Sequence, residues 1–314
     1  MTGRILILGA AGRMGRAAAQ AFRDAGWSVT SLVRGTSAGR AVAGTRIVEV
    51  DAGDIESVAE AAAGMEVVLH ALNPPYIQWA AQVPRLAEAA IAAARAAGAT
   101  LVLPGNVYGF GAGMPARLDE RTPMRPTARK GALRLALEQR LRAAAGEGVH
   151  AIVLRAGDFF GGQGSGAWFD RVIVRHVAQG RLSYPGPLDV VHAWAYLPDL
   201  AQAMVKVVEA RARFSAFETF GFPGHAVTGR EFLAAIERAL GRPMTITGMP
   251  WGLLRLLGPL VPPFRELAEL AYLWQVPHRI DGAKLAGAIG EVPHTPLDQA
   301  VAAALRELGL SPSR

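Results

Sequence analysis

A glycine-rich turn between a buried strand and a helix is the feature that most constrains the fold. The segment ILILGAAGRMGRAAA places three glycines at steps of three, directly after the apolar run that ends at Leu8. The first glycine permits a sharp turn, the second lets the backbone approach a pyrophosphate, and the third lets helix and strand pack closely. The helix N-terminus then offers N–H groups and a partial positive charge. The turn predicts a dinucleotide site formed by Gly9, Ala11, Gly12, Arg13, Met14 and Gly15.

Strand and helix patterns alternate through the first half of the chain. Six apolar runs read as strands, namely RILILG, SVTSLVR, TRIVEVD, MEVVLHAL, TLVLPG and HAIVLRAG. Alanine-rich helical patterns separate most of them, and a parallel crossover needs a covering helix. Because such crossovers are right-handed, the pattern predicts a Rossmann-type, doubly wound parallel sheet.

The pattern loosens after the sixth strand, which predicts a second, smaller lobe. Residues 1–157 are expected to form the NAD(P)-binding domain. Residues 158–314 are expected to form a mostly helical substrate lobe, discontinuous and built from about 158–189 and 218–314. Residues 190–217, which contain VHAWAYLPDL, are expected to return to the larger domain.

The composition excludes several classes of function. The chain has 33 Lys and Arg against 26 Asp and Glu, a net charge of +7, but no basic run or motif that predicts a nucleic-acid partner. It has no cysteine, which excludes disulfides and thiolate metal sites and suits a cytoplasmic protein. The seven histidines show no compact metal-binding spacing, so no metal site is predicted. The most apolar stretch, PWGLLRLLGPLVPPF, contains an arginine and four prolines, so no membrane partner is predicted.

The end of the second strand indicates which dinucleotide binds. An acidic residue there would favour NAD, but the chain has Arg34. Together with Arg13 it could bind a 2′-phosphate, which favours NADP and makes NAD the less favoured cofactor, unless Arg34 is only an exposed charge. Asp51 ends the third strand and, with Ala52 beside it, is predicted to contact the adenine. The alternative is that Asp51 caps the next helix.

The motifs in their order resemble the short-chain dehydrogenase/reductase superfamily. GAAGRMG, VDAGD, VLHALNPPY, NVYGFG, VLRAGDFFGG and AYLPDLAQA are similar to its extended, NAD-dependent epimerase/dehydratase-like branch. That resemblance implies a small-molecule substrate and the option of a homodimer. It also implies that Ala71, Leu72 and Asn73 line the cofactor, and that Gly157, Asp158 and Phe159 flank the nicotinamide and substrate.

The catalytic residues depart from that branch. Its tyrosine-using members carry Y-x-x-x-K after the fifth strand, where this chain has Lys130 and Arg134. The helix is instead similar to the K-x-x-x-R-x-x-x-E pattern of isoflavone-reductase-like and NmrA-like members, with Glu138 as its third residue. Steps of four place all three residues on one helical face.

Three interpretations of Lys130 stay open at this point. It could transfer a proton if burial and the neighbouring arginines favour its neutral form, it could anchor the cofactor ribose, or it could be a solvated charge. Tyr108 and Asn106, in the loop after the fifth strand, complete the candidate catalytic set. Tyr108 could replace the lost phenol or could simply pack in the core.

The sequence therefore predicts an NADP-dependent reductase or an NAD(P)-dependent epimerase/dehydratase-like oxidoreductase. The substrate would be a small carbonyl or hydroxyl compound, with Lys130 in place of the usual catalytic tyrosine. The loss of the tyrosine–lysine pair motivates an alternative, a non-catalytic redox sensor that holds NADP(H) and regulates a partner.

Overall fold

The computed structural model describes residues 3–164 and 166–310. The strands are β1 (Arg4–Leu8), β2 (Ser28–Val33), β3 (Arg46–Glu49), β4 (Val67–His70), β5 (Thr100–Gly105), β6 (Arg117–Leu118), β7 (Ala151–Arg155), β8 (Asp158–Phe160), β9 (Arg181–Tyr184), β10 (Val191–Tyr196), β11 (Phe217–Gly221), β12 (His225–Thr228), β13 (Thr245–Gly248) and β14 (Arg279–Ile280). The helices are α1 (Arg13–Asp24), α2 (Ile55–Ala61), α3 (Trp79–Ala97), α4 (Arg129–Gly146), α5 (Leu197–Glu209), α6 (Gly229–Leu240), α7 (Trp251–Leu257), α8 (Pro262–Ala268), α9 (Ala283–Ile289) and α10 (Leu297–Glu307).

Seven parallel strands form the central sheet, in the order β11-β7-β5-β4-β1-β2-β3. The strand order reverses on either side of β1, so the carboxyl ends of β1 and β4 open a crevice at that edge. All six strands that the apolar runs predict are present in this sheet. The predicted Rossmann-type, doubly wound fold is confirmed.

The sheet is covered on both faces, which is why its strands are apolar without alternation. Ile5 and Ile7 of β1 pack into a core shared with α1 and α5. Leu6 and Leu8 of the same strand pack into the opposite core, shared with α2, α3 and α4. The two faces of one strand thus bury into two separate helical layers.

The segment after β8 divides between the two parts of the molecule. Strand β10 joins β8 and β12 in a separate three-stranded sheet, while the following helix α5 packs beside α1 on the central sheet. Strand β11 lies at the edge of the central sheet beside β7. The prediction had assigned residues from 218 onward to the smaller lobe, so the structure places this strand differently.

An aromatic cluster fills the smaller lobe and fixes the loops that approach the sheet. Trp194 of β10 stacks on Phe232 of α6 with ring centroids 4.3 Å apart. Phe160 of β8 packs edge-on to the same Phe232 ring at 5.5 Å. The carboxyl end of β7 therefore leads through β8 into this buried aromatic cluster. No helix within the two described ranges is long and apolar enough to cross a membrane.

Candidate functional site

The glycine turn after β1 has a backbone that side chains would obstruct. Gly9 has φ +83, in the left-handed region, and Gly12 precedes α1 in an extended conformation. A Cβ on Gly12 would lie 3.1 Å from the Gly9 carbonyl oxygen, and one on Gly15 would collide with that oxygen. The turn thus forms a bare backbone cradle at the N-terminus of α1, which fits a dinucleotide pyrophosphate. Ala11 lies in the turn and Met14 is buried in the first turn of α1, and their contacts with a cofactor stay a prediction.

The loop after β4 lies against this cradle. The Ala71 N–H donates to the Leu8 carbonyl at 3.0 Å. A Cβ on Gly9 would lie 3.1 Å from the Ala71 carbonyl carbon and from a Leu72 methyl carbon. Asn73 follows as an exposed residue. The structure therefore brings the predicted segment 71–73 to the crevice edge beside the glycine turn.

The predicted adenine contacts lie one strand further along the sheet. Asp51 is exposed just beyond β3, and its carboxylate accepts from the Gly53 N–H at 2.9 Å. Asp54, not Asp51, caps α2 by accepting from the Ser57 N–H at 3.3 Å. Ala52 is buried beside it. The helix-cap alternative for Asp51 is therefore wrong, whereas its contact with adenine stays a prediction.

Arg13 is bound within the protein rather than directed at a ribose phosphate. Its Nε and Nη2 donate to the Gly161 carbonyl at 3.1 and 2.7 Å, and its Nη1 pairs with the Asp170 carboxylate. These contacts join the start of α1 to the glycine-rich loop of the smaller lobe. They do not support the prediction that Arg13 binds the 2′-phosphate, because its guanidinium already faces a carboxylate.

The segment after β2 carries two exposed arginines, Arg34 and Arg40. Arg34 is exposed at the end of the strand and precedes a short 3-10 helix, Gly35–Arg40. The Arg40 Nη2 donates to the Ser37 hydroxyl at 2.9 Å. The Glu49 carboxylate of β3 lies next to Gly35. Sequence reasoning missed Arg40 and Ser37, although the repeated arginine in RGTSAGR was a signal for them.

Lys130 is buried at the start of α4, with its side chain 1% exposed, in an ion cluster with the smaller lobe. Its Nζ donates to the Glu269 carboxylate at 2.9 Å and also binds the Glu266 carboxylate. Its backbone N–H donates to Glu269 as well, at 3.1 Å. Burial alone would raise the pKa of Glu266, but the hydrogen bond and charge of Lys130 lower it. Two carboxylates therefore hold the ammonium group, which does not support Lys130 as a proton donor or as a solvated charge.

Tyr108 forms a buried phenol pair with Tyr76, which sequence reasoning missed. The two hydroxyl oxygens lie 3.1 Å apart, and Trp79 packs against both rings. Burial raises the pKa of Tyr76 to about 12 and raises that of Tyr108 well above its usual value. The Asn106 side-chain oxygen accepts from the Tyr108 N–H at 3.0 Å. Both phenols are therefore protonated at neutral pH, and Asn106 shapes the loop that carries one of them.

The predicted helical stripe on α4 exists, but its three residues have separate partners. Arg134 stacks over the Trp79 ring, with its guanidinium carbon 4.7 Å from the ring centroid. Among the described residues its buried Nε has no hydrogen-bond partner, and burial lowers its pKa. Glu138 pairs with Arg155 at 2.7 Å. Arg134 is thus a cation close to Trp79, Tyr76 and Tyr108, which its place in the motif did not indicate.

The loop after β7 brings a carboxylate to the same cleft. Gly157 lies so close to the Ala193 carbonyl that a Cβ would overlap it. The Asp158 Oδ2 lies 2.9 Å from the His192 Nε2, and the His192 Nδ1 lies 3.2 Å from the Leu273 carbonyl oxygen. The charge of Asp158 contributes to the raised pKa of Tyr76 and Tyr108, so this carboxylate lies near both phenols.

Comparison with known proteins assigns the family. Residues 5–220 match the NAD dependent epimerase/dehydratase family, which is more than half of the chain. The chain belongs to this family. The predicted resemblance to the extended branch is confirmed.

One curated relative is a reductase. The chain is 33% identical over 274 residues to a 3-diazoavenalumate denitrifying reductase from Streptomyces sp, covering 81% of this chain and 87% of that protein. The name of that protein describes a reduction with loss of nitrogen, not an epimerisation.

Solved structures of this family share the fold at low identity. A UDP-glucose 4-epimerase from Bifidobacterium longum in complex with NAD+ and UDP superposes with a TM-score of 0.77 at 16% identity, with 98% of each chain covered. An L-threonine 3-dehydrogenase from Trypanosoma brucei gives 0.78 at 18% identity and 99% coverage of each chain. Both likenesses concern the fold alone.

Proposed function

We propose that this family member is an NADPH-dependent reductase that removes dinitrogen from a diazo group on an aromatic carboxylate. The observation that carries the proposal is the phenol pair: Tyr76 and Tyr108 hydrogen-bond each other, and burial raises the pKa of both. Oxidation of a sugar hydroxyl needs a base that accepts the hydroxyl proton. Two protonated phenols cannot serve as the base that removes that proton, but a phenol hydroxyl can donate a hydrogen bond to a substrate oxygen, so this wall suits a reduction.

The proton count agrees with the chemistry named for the relative. An aromatic ring that carries a diazo group and a deprotonated hydroxyl group is neutral overall. Its oxygen is then drawn as a ketone that is conjugated with the diazo carbon. A hydride forms the new C–H bond at the diazo carbon, the C–N bond breaks to release dinitrogen, and one proton joins the oxygen as the ring becomes a phenol. A bound reduced nicotinamide supplies the hydride and is itself oxidised. The chain's own residues have to bind the substrate, exclude water and supply the proton.

The glycine cradle and the loops beside it would hold the cofactor. Gly9, Gly12 and Gly15 leave space for the pyrophosphate, and segment 71–73 borders it. We place the 2′-phosphate of NADPH at Arg34 with the Ser37 hydroxyl and Arg40 beside it, since guanidinium groups bind phosphates through charge-assisted bonds. This preference for NADPH over NADH rests on Arg34 and Arg40, not on Arg13.

Arg134 and the aromatic residues would bind the substrate. Trp79, Tyr76 and Tyr108 form an aromatic wall, which suits a planar ring. The Nε of Arg134 lacks a partner among the described residues, and a substrate carboxylate would provide one. The relative's substrate is named as a carboxylate, in agreement with this placement.

We propose Lys130 as a positioning residue. Its ion pairs with Glu266 and Glu269 join α4 to α8, and its amine lies 5.1 Å from the centre of the Tyr76 ring. Through these contacts it would fix Tyr76 in the phenol pair. A cytoplasmic location and a homodimer remain predictions.

The experiment is a substrate panel with NADPH consumption as the readout. The panel contains 3-diazoavenalumate, aldehydes, ketones, enones and UDP-sugars. Turnover of the diazo compound alone is the expected result. Turnover of carbonyls without loss of nitrogen would reject the diazo assignment, and tight NADPH binding with no turnover on any compound would favour the redox sensor.

Arg134→Leu tests the substrate contact. We expect KM for the carboxylate substrate to rise roughly 10-fold or more, because a hydrogen bond to a charged group contributes about 1.5–3 kcal/mol. Arg142→Leu is the matched control, since Arg142 is exposed two turns further along α4. An equal effect of the two substitutions would contradict the contact.

A further inference from the structure

His192 lies between two oxygen atoms that accept hydrogen bonds. Its Nδ1 is 3.2 Å from the Leu273 carbonyl oxygen, and its Nε2 is 2.9 Å from the Asp158 carboxylate. A neutral imidazole carries a proton on only one nitrogen, so it can donate only one of these two bonds. The other nitrogen would then present a lone pair to an acceptor oxygen.

We propose that His192 and Asp158 together hold one proton beyond a neutral imidazole and a carboxylate, and that this pair donates the proton consumed in the reduction. The protonation of the pair is inferred from the hydrogen-bond geometry alone. Its role as the proton donor rests on the proposed function. Either both His192 nitrogens are protonated, or Asp158 is. A charged imidazole donates to the Leu273 carbonyl through Nδ1 and to the Asp158 carboxylate through Nε2, so we place the proton on His192.

The groups around the pair do not compete for this proton. His278 faces His192 with ring centroids 4.7 Å apart, and burial together with the charge of His192 lowers the pKa of His278 to about 3. Trp274 stacks on the His192 ring at 4.2 Å, and Trp194 packs at 5.0 Å, so both remaining neighbours are neutral. His278 stays neutral at physiological pH.

Four phenols sense the charge of Asp158. Burial raises the pKa of each of them, and the Asp158 charge adds to the effect; they are Tyr76, Tyr108, Tyr184 and Tyr272. None of them takes a proton from the pair near neutral pH. Two arginines also lie near these phenols, because the charges of Arg134 and Arg171 act on Tyr76, and that of Arg134 acts on Tyr108.

Asp158 is the end of the pair that can meet the substrate. The His192 side chain is 2% exposed and the Asp158 side chain 11%. As the hydride forms the C–H bond and the C–N bond breaks, the proton on His192 passes to Asp158 and from there to the ring oxygen of the substrate. The pair is left as neutral His192 and the Asp158 carboxylate, and one proton from water restores it.

The proton count is tested by 15N NMR of the protein labelled at its histidines, without substrate. We expect His192, assigned by its loss in His192→Gln, to show two protonated ring nitrogens at pH 7.5. In Asp158→Asn it should become neutral at the same pH, because the carboxylate that stabilises the charge is gone. A singly protonated His192 in the native protein from pH 6 to 8 would overturn the proposal. This NMR measurement needs no substrate turnover, so its result does not depend on whether the diazo compound is the substrate.

The catalytic role is tested by kinetics with His150→Gln as the control, since His150 is exposed just before β7. General acid catalysis contributes roughly 100-fold or more. Asp158→Asn and His192→Gln should each lower kcat by about that factor, with NADPH affinity unchanged. The native rate should fall as pH rises and the pair loses its proton, and Asp158→Asn should flatten this profile. Losses no greater than the control's, with an unchanged pH profile, would reject the role.

Discussion

Replacing Lys130 by methionine tests whether this residue stabilises the fold or takes part in catalysis. The substitution keeps the length and packing of the side chain but removes the cation. It leaves Glu266, with its side chain 6% exposed, and Glu269, 16% exposed, without their partner. Breaking a buried pair by removing one partner costs about 3–5 kcal/mol, because the remaining charge is desolvated and uncompensated.

That cost corresponds to a measurable loss of thermal stability. With an unfolding entropy of about 2.1 cal/mol/K per residue, a chain of 314 residues loses about 5–8 °C of Tm. The double variant Lys130→Met, Glu266→Gln should recover part of this loss, since it removes one stranded charge. Differential scanning calorimetry of both variants at pH 7 measures the effect.

The pH dependence of Tm tests the same ion pairs of Lys130. The pKa of Glu266 is lowered from 4.5 in the folded protein: burial opposes this, but the bond and charge of Lys130, with the contributions of Arg265 and Arg129, together outweigh burial. A carboxyl with a depressed pKa stabilises the fold above its unfolded pKa and loses that contribution as pH falls through the folded value. The Tm gap between native protein and variant should therefore be full above about pH 5 and narrow below pH 4.5. An unchanged Tm with a large loss of turnover would instead make Lys130 the proton donor.

Three further predictions concern the cofactor and the phenol pair. Arg34→Ala should weaken NADPH binding roughly 10- to 150-fold and leave NADH binding unchanged, as measured by calorimetry, whereas Arg46→Ala, at the far end of β3, should change neither. Gly15→Ala should weaken both cofactors at least about 10-fold because its Cβ meets the turn, whereas Gly287→Ala, with open space around it, should not. Tyr108→Phe should keep more than about a tenth of kcat, since its phenol donates no essential proton; a loss like that of Asp158→Asn would contradict this.

The features that could be predicted from sequence are local. Six of the seven strands of the central sheet follow from apolar runs, and the cradle follows from glycines within seven residues of one another. The stripe on α4 likewise follows from helical spacing alone. In each case the residues that decide the structure are neighbours in the chain.

The features that could not be predicted depend on partners far away in the chain. Lys130 is paired with Glu266, 136 residues later, and Arg13 with Asp170, 157 residues later. Spacing shows which face of a helix a residue occupies, but it does not show what packs on that face. Strand β11 is a similar case, because its partner strand β7 lies far away in the chain.

We propose above that bound NADPH reduces a diazo group on the substrate. The most direct measurement is mass spectrometry of the gas released from 3-diazoavenalumate that carries 15N at both diazo positions, in a sealed reaction with NADPH oxidation followed in the same vessel. We expect one molecule of labelled dinitrogen for each NADPH oxidised. NADPH oxidation without labelled dinitrogen, or release of dinitrogen that does not depend on NADPH, would contradict it.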